Sequence, residues 1–327
     1  MRIIVDGMGG DNAPESTVKG SIEAIKEYDI EILITGPTEL LEKELGKYDY
    51  PKDKIKILHA SEKIENTDNP TIAIRKKKDS SLVVALKAMT ENMGDGVISA
   101  GNTGALLAGG LFIVKRINGI HRAALTVIYP TTKGASLLVD AGANMDSKPE
   151  YLEQFAIMGS IYVENVMNIK NPKIGLVNVG TEDEKGNQLT KEAYSLIKQR
   201  DVNFIGNVEA RDLPDGIVDV IVCDGFVGNI ILKLTEGMAK SIFTLLKRSF
   251  VKNTRSKLGA LLLKAEMLKL SKVLDYREYG GAPLLGTKQP IVKAHGSSDY
   301  YAFKNGIAQL KAFIEKDVIS IIEANFK

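Results

Sequence analysis

Short apolar runs at 2–5, 31–35, 54–58, 96–99, 124–128, 136–139, 173–178 and 219–223 punctuate the chain. They are rich in Val, Ile and Leu and bounded by Gly, Asn, Asp or Pro, the pattern of buried β-strands. Between them, apolar residues recur at three- and four-residue spacing. That predicts helices over 14–26, 38–45, 82–92, 103–114, 149–167, 189–198, 229–250 and 298–325. Strands alternating with helices predict an α/β fold, a three-layer α/β/α arrangement around a mostly parallel sheet, with a helical excursion near 240–280. No internal repeat and no Gly/Ser linker interrupts the pattern, so residues 1–327 are expected to form a single domain.

Five predicted strand ends carry loops of one flavour. Val5 runs into Asp-Gly-Met-Gly-Gly-Asp-Asn-Ala-Pro (6–14), and Ser99 into Ala-Gly-Asn-Thr-Gly-Ala (100–105). Val139 runs into Asp-Ala-Gly-Ala-Asn (140–144), Asn178 into Val-Gly-Thr-Glu-Asp-Glu-Lys-Gly-Asn (179–187), and Cys223 into Asp-Gly-Phe-Val-Gly-Asn (224–229). In open parallel sheets, ligands bind beyond the carboxyl ends of the strands. The five loops therefore predict one shared site, although Gly and Asn also serve simply as turn residues. Gly101-Asn102-Thr103-Gly104 and Gly228-Asn229 place backbone N–H groups at predicted helix N-termini. That suits an anion, phosphate or carboxylate.

Composition narrows the chemistry. Hydrophobic residues make up 44% and charged residues 26%, the balance of a folded globular protein. A formal net charge of +2 argues against nucleic-acid binding through bulk charge. The single cysteine, Cys223, permits no internal disulfide and no cysteine metal cluster, which fits a reducing cytoplasm. No run approaches 18 uninterrupted apolar residues, so no membrane span is expected, and the first apolar run is too short for a signal peptide.

Standard cofactor motifs are absent. There is no Gly-x-x-x-x-Gly-Lys-Ser/Thr segment. Gly7-Met8-Gly9 follows a strand, but Asn12 stands where a dinucleotide fingerprint needs its third glycine, and the second strand ends in Thr35-Gly36 without an acid to hold a ribose. No cofactor is expected. His59, His121 and His295 share no metal-ligand spacing, so no metal is expected either. His295 belongs to His-Gly-Ser-Ser-Asp (295–299), before the last predicted helix, which Ser297 or Ser298 would cap. Without a Gly-x-Ser-x-Gly elbow, and with Cys223 in an apolar strand, no covalent acyl-enzyme is expected.

Taken with Gly-Asn-Val-Glu-Ala-Arg-Asp (206–212) and Gly-Gly-Ala-Pro-Leu-Leu-Gly (280–286), these segments resemble, in order and over essentially the whole chain, those of the phosphate acyltransferase family (acyl-ACP:phosphate acyltransferases). The resemblance implies an isocitrate/isopropylmalate dehydrogenase-like fold and a homodimer. It also implies transfer of a fatty acyl group from acyl carrier protein to inorganic phosphate, and delivery of the acyl phosphate to a membrane glycerol-3-phosphate acyltransferase. Three rivals stand beside it: a phosphotransacetylase-like enzyme using acyl-CoA, an NAD-dependent hydroxy-acid dehydrogenase of the same fold, and a non-catalytic membrane scaffold.

Direct attack of phosphate on a thioester needs little acid assistance, because a thiol of pKa ~8.5 leaves readily as thiolate. The protein must hold a dianion and stabilise a tetrahedral oxyanion. For the phosphate we assign the backbone of Gly101–Gly104 with Asn102, Thr103 and the cation Lys185, whose alternative is a loop lysine paired with Glu182, Asp183 or Glu184. Asn229, beside Gly228 at the start of a long helix, is the candidate oxyanion or phosphate donor, and Asp224 the group that orients Lys185 or His295. Asn144, Asn187, Ser297 and Ser298 complete the candidate substrate-binding set.

From Lys247 to Lys272 the chain carries eight basic residues and one acid, Glu266. Leu263, Met267, Leu270 and Leu274 form one helical stripe, and Leu258, Leu261, Leu262, Ala265 and Leu268 another. A surface helix needs one apolar face; two predict two apolar partners. A dimer mate is one. The other is an anionic membrane surface or acidic acyl carrier protein, met by Leu258, Leu261, Leu262, Lys257 and Lys264. The expected location is cytoplasmic, peripherally associated with the membrane.

Overall fold

The computed structural model describes residues 1–273 and 275–326, without the side chains of 268, 271–273 and 276. Among the described residues, eleven strands form one sheet: β1 (Arg2–Asp6), β2 (Glu31–Gly36), β3 (Ile55–His59), β4 (Gly96–Ser99), β5 (Ala124–Thr131), β6 (Gly134–Val139), β7 (Ile174–Asn178), β8 (Phe204–Glu209), β9 (Val220–Val222), β10 (Gly281–Leu285) and β11 (Ile291–Ala294). Their order is β3-β2-β1-β4-β11-β10-β5-β6-β9-β7-β8. All eight predicted strands are present. β8, β10 and β11 were not foreseen, nor was the helix Pro70–Lys76.

Alternation along the strands assigns the two faces. Ile3, Val5, Ile32, Ile34 and Ile98 pack on one side with Val18, Ile22 and Phe303, in a core that continues under the helix Pro149–Asn165. Ile4, Leu33 and Val97 face the other way, under Ile74, Leu86 and Leu106. On that second side a separate core, around Leu138, Ile221 and Ile231, covers the other half of the sheet. Helices on both faces of a mostly parallel sheet give the expected three layers.

The sheet changes direction at its centre. β10 is antiparallel to β11 and β5, and β5 is antiparallel to β6. Each half is internally parallel, but β6, β9, β7 and β8 run opposite to β3, β2, β1, β4 and β11. The five motif loops are therefore not one set at one edge. Those after β1 and β4 start from one end, and those after β6, β7 and β9 from the other.

Several predicted boundaries shift. The last helix is two, Tyr300–Glu315 and Val318–Asn325, separated at Asp317, whose φ of +46° is left-handed. The 103–114 helix is α only over Thr103–Gly109 and continues as a π turn, Gly110–Val114. The long helix begins at Gly225, capped by Asp224, and runs to Phe250, so Asn229 lies on its second turn rather than at its start. A second helix, Thr254–Val273, completes the predicted excursion. Leu274 and the side chain of Leu268 lie outside the described residues.

Candidate active site

The two sets of loops meet over the central strands. A cavity of about 390 Å³ opens there, between the N-terminal end of the Thr103–Gly109 helix and the first turns of the Gly225–Phe250 helix. Thr103 reaches it from beyond β4, His295 and Gly296 from beyond β11, and Gly142 and Asn229 from beyond β6 and β9. Its floor is apolar, built by Leu125, Val127, Ile128, Ala141 and Leu232. Lys233, Glu236, Tyr279 and Lys293 supply further polar groups to its wall.

Lys293 is the residue that sequence reasoning missed. It sits in β11 with 7% exposure, and its Nζ donates to the Ala294 carbonyl. Burial pulls its pKa down to about 8, opposed by the negative charges of Asp6 and Asp11. Asp6, buried at the end of β1, accepts a hydrogen bond from Ser99 Oγ at 2.6 Å, and Ser99 Oγ in turn accepts from Gly101 N at 3.0 Å. Burial pushes the Asp6 carboxyl up, against the pull of those partners and of Lys293. The one sequence signal was a lysine inside the short apolar run Ile-Val-Lys-Ala.

His295 accepts from Ser297 N at 3.2 Å through Nδ1, which also lies 2.8 Å from Ser297 Oγ. An accepting Nδ1 leaves the ring proton on Nε2. Burial first, then the ammonium of Lys233, holds the imidazole below its usual pKa, so the neutral form dominates. Lys233 itself pairs with Glu236 at 2.8 Å. The 6–14 loop braces this corner: Asp11 N donates to Gly296 O at 2.8 Å, and Asn12 Nδ2 to the carbonyls of Ser297 and Ser298 at 3.2 Å each. Ser298 is buried and Asp299, not a serine, caps the following helix by accepting from Ala302 N at 2.9 Å.

Most of the predicted Asn and Asp ligands turn out to be occupied. Asn102 caps its helix through Ala105 N at 2.9 Å and donates to carbonyls of the 65–68 loop. Asn187 accepts from Thr190 N at 3.0 Å. Asp224 accepts from Phe226 N and Val227 N at 2.9 and 3.0 Å through Oδ1, so it caps its own helix. Asn144 donates to Ala123 O at 2.8 Å and to Asp140 at 2.9 Å. Asp140 also accepts from the backbone N–H of Leu125, Gly142, Ala143 and Asn144, which shapes the loop facing Asn229. Gly228 is a packing residue: a Cβ there would lie 1.9 Å from the Asp140 carbonyl oxygen, so only glycine lets the helix approach.

Lys185 does not line the cavity. Its loop is held rigidly, Asn178 Nδ2 donating to Lys185 O at 3.1 Å and Asn207 Nδ2 to Glu182 O at 2.8 Å. That gives the Gly-Asn-Val-Glu segment its purpose. The neighbouring acids do not neutralise the lysine. Asp183 is engaged by Tyr194 and Lys198, and the exposed Lys185 makes no ion pair among the described residues. Cys223 is buried, its Sγ 3.7 Å from Asp140 O, and burial pushes its thiol well up. Among the described residues no group of His, Cys, Asp and Glu could hold a metal.

The family model described as "Fatty acid synthesis protein" matches residues 1–321. A phosphate acyltransferase of Alkaliphilus oremlandii is 59% identical over 98% of this chain and 96% of its own length. One from Clostridioides difficile is 53% identical over 98% and 95%. The chain belongs to the phosphate acyltransferase family. It is accordingly an acyltransferase of fatty acid synthesis, and the cavity and its loops are to be understood in that light. In fold the family member is similar to a phosphotransacetylase from Streptococcus pyogenes (TM-score 0.65, 17% identity, 96% of this chain and 94% of that one). It is also similar to 4-hydroxythreonine-4-phosphate dehydrogenase from Klebsiella pneumoniae (TM-score 0.51, 13% identity, 100% and 99%). At such identities the likeness concerns the fold alone.

Proposed function

We propose that the donor is a fatty acyl group carried as a thioester on acyl carrier protein, and that inorganic phosphate attacks it directly. The observation that carries this reading is one cavity with two kinds of wall, an apolar floor for an acyl chain beside Lys293, Lys233, Thr103, Asn229 and neutral His295 for an anion. A phosphate oxygen donates its lone pair to the thioester carbon, forming a C–O bond. The tetrahedral oxyanion collapses, the C–S bond breaks, and its electron pair leaves with sulfur as thiolate. Lys293 counters the phosphate charge in a site where burial strengthens the attraction. The Nε2–H of His295 and the Asn229 amide are the donors for the oxyanion, each such donor worth about 2.7–4 kcal/mol. The loop backbone at Gly101–Gly104 orients the phosphate. Lys185, on the loop after β7, which is separated from β6 by β9 alone in the sheet, serves the incoming anion.

The excursion fits a second copy of the chain and an anionic membrane surface. The Gly225–Phe250 helix buries only Gly225, Gly228 and Ile231. Beyond them Leu234, Met238, Ile242 and Leu245 form an exposed stripe, for which a homodimer mate is the proposed cover. Leu258, Leu261 and Leu262, with Lys257 and Lys264, would then touch lipid and place the product near the membrane enzyme that uses it. No described helix is long and apolar enough to cross a membrane.

The test is incubation with long-chain acyl carrier protein and inorganic phosphate, with acyl phosphate and free carrier measured. Both should appear in equal amounts. Turnover of acyl-CoA but not of the acyl carrier protein would sink the carrier reading and favour a phosphotransacetylase.

A further inference from the structure

A second charged surface lies outside the cavity. On the Pro70–Lys76 helix, Ala73 and Ile74 are buried, while Ile72, Arg75 and Lys76 share the exposed face, followed by exposed Lys78. The Arg75 guanidinium lies 5.3 Å from the ring centre of Phe112, in the π turn Gly110–Val114. Exposed Lys115, Arg116 and Arg122 follow that turn. Arg75, Lys76, Lys78, Lys115 and Arg122 make no ion pair with any described residue. The flanking acids are already engaged: Asp68 pairs with Lys77 at 2.6 Å, and Asp79 accepts from Ser61 N and Oγ. From Gly96 to Val139 the chain contains no Asp or Glu at all. Within this basic field Ile72 and Phe112 are 52% and 51% exposed. Basic residues without counter-ions around exposed apolar anchors are the composition of a docking face for an acidic protein.

The face is joined to the cavity. Gly104, next to the cavity residue Thr103, packs against the start of this helix so tightly that a Cβ there would come within 2.6 Å of Pro70 Cγ. The helix is seven residues long, so its basic end lies about 10 Å farther from the rim. A donor thioester on a flexible arm could enter the cavity while its protein body rests here.

We infer that the face built by Ile72, Arg75, Lys76, Lys78, Phe112 and Lys115 docks the acidic surface of the carrier protein that delivers the acyl thioester. This rests on the function proposed above and adds the footprint to it. The helices beyond residue 225 are then left to the dimer and the membrane.

The test compares the double variant Lys76→Glu/Lys78→Glu with the parent, using two donors with the same acyl chain: acyl carrier protein and acyl-pantetheine, which has no protein body. We expect kcat/KM with the carrier to fall at least tenfold, chiefly through KM, with acyl-pantetheine rates within twofold of the parent. The parent's rate with the carrier should also fall more steeply with added salt than the variant's. Unchanged carrier kinetics would overturn the inference, as would equal losses with both donors. Loss of binding to phosphatidylglycerol vesicles with carrier kinetics intact would assign the face to lipid and overturn it too. Should the parent turn over neither donor, the function proposal fails by itself. Titration of unacylated carrier onto parent and variant then decides the docking face, equal affinities ruling it out.

Discussion

The cleft and the helical arm beyond it break opposite rules of protein surfaces. In the cleft, groups that prefer water are buried: Asp6, Asp140, Lys293 and Ser298 are each at most 7% exposed. On the arm, groups that prefer the interior are in water: Leu234, Leu245 and Leu262 are 60% or more exposed. One helix, Gly225–Phe250, belongs to both, with its glycine-rich first turns against Asp140 and its leucines outside. The contrast separates two sources of function. Buried polar groups are held away from water so that they act on charge, whereas exposed apolar groups wait for a partner to cover them.

Lys293 is the sharpest test of the cleft. Lys293→Met should lower turnover by about 10²–10³-fold, the scale of losing one preorganised group, with the fold retained. The parent should lose activity as pH rises through about 8, where the ammonium deprotonates. Stability should move the other way. The folded pKa lies below the unfolded value of about 10.5, so the unfolded chain binds more protons between about 8 and 10.5, and stability rises with pH across that window. The gain is of the order of 3 kcal/mol. The negative charges of Asp6 and Asp11 face Lys293 and oppose its shift, and burial holds the neighbouring imidazole of His295 below its usual value. Urea unfolding of parent and variant at several pH values checks this, and equal pH slopes would refute a charged, buried Lys293.

Lys185 tests where the cleft ends. It is exposed, without an ion-pair partner among the described residues, and lies off the cavity, so its effect should be smaller and should depend on phosphate. Lys185→Ala is expected to cost one to two orders of magnitude in kcat/KM for phosphate. Phosphate saturation curves measure it, and a loss confined to the acyl donor would move Lys185 to the other substrate.

The two regions were not equally legible. The arm's apolar and basic pattern could be read directly, because exposure along a helix follows spacing. The strands of the α/β framework were legible too, from their apolar runs, and of the five loops singled out at 6–14, 100–105, 140–144, 179–187 and 224–229 those at 100–105, 140–144 and 224–229 contribute to the cavity wall. Their division of labour was not. Asn102, Asn187 and Asp224 are as good at capping a helix as at holding a ligand, and only geometry separates the two uses. β10 and β11 are short, and one contains Pro283 and the other Lys293, so neither reads as a central strand. Missing them concealed the reversal of the sheet and, with it, the cavity.

The arm can be dissected along its length. Met238→Glu, on the stripe of the long helix, should convert a dimer into monomers, seen by sedimentation. Leu262→Glu, at 78% exposure on the next helix, should leave the dimer intact and weaken binding to anionic vesicles by roughly tenfold. Turnover of a soluble donor by Leu262→Glu should stay within twofold of the parent. If Leu262→Glu instead dissociates the protein, both helices belong to the subunit interface and the membrane assignment fails.

The smallest effect is expected at Cys223, and it separates burial that confers reactivity from burial that only fills space. Lys293 and Cys223 are both enclosed ends of strands, but Lys293 opens onto the cavity whereas Cys223 packs beneath the Asp140 carbonyl. Burial pushes the thiol well up, which disfavours the thiolate that an attack on a thioester would need. A serine at this position keeps the size and can donate to the same carbonyl. Cys223→Ser should therefore retain turnover within twofold and lose about 1 kcal/mol of stability or less. Intact-protein mass spectrometry of the parent during turnover gives the complementary check, because direct attack by phosphate leaves no acyl group on the chain. A stable acyl adduct that disappears in Cys223→Ser would make the cysteine a nucleophile and put the reaction beneath the cleft floor instead of above it.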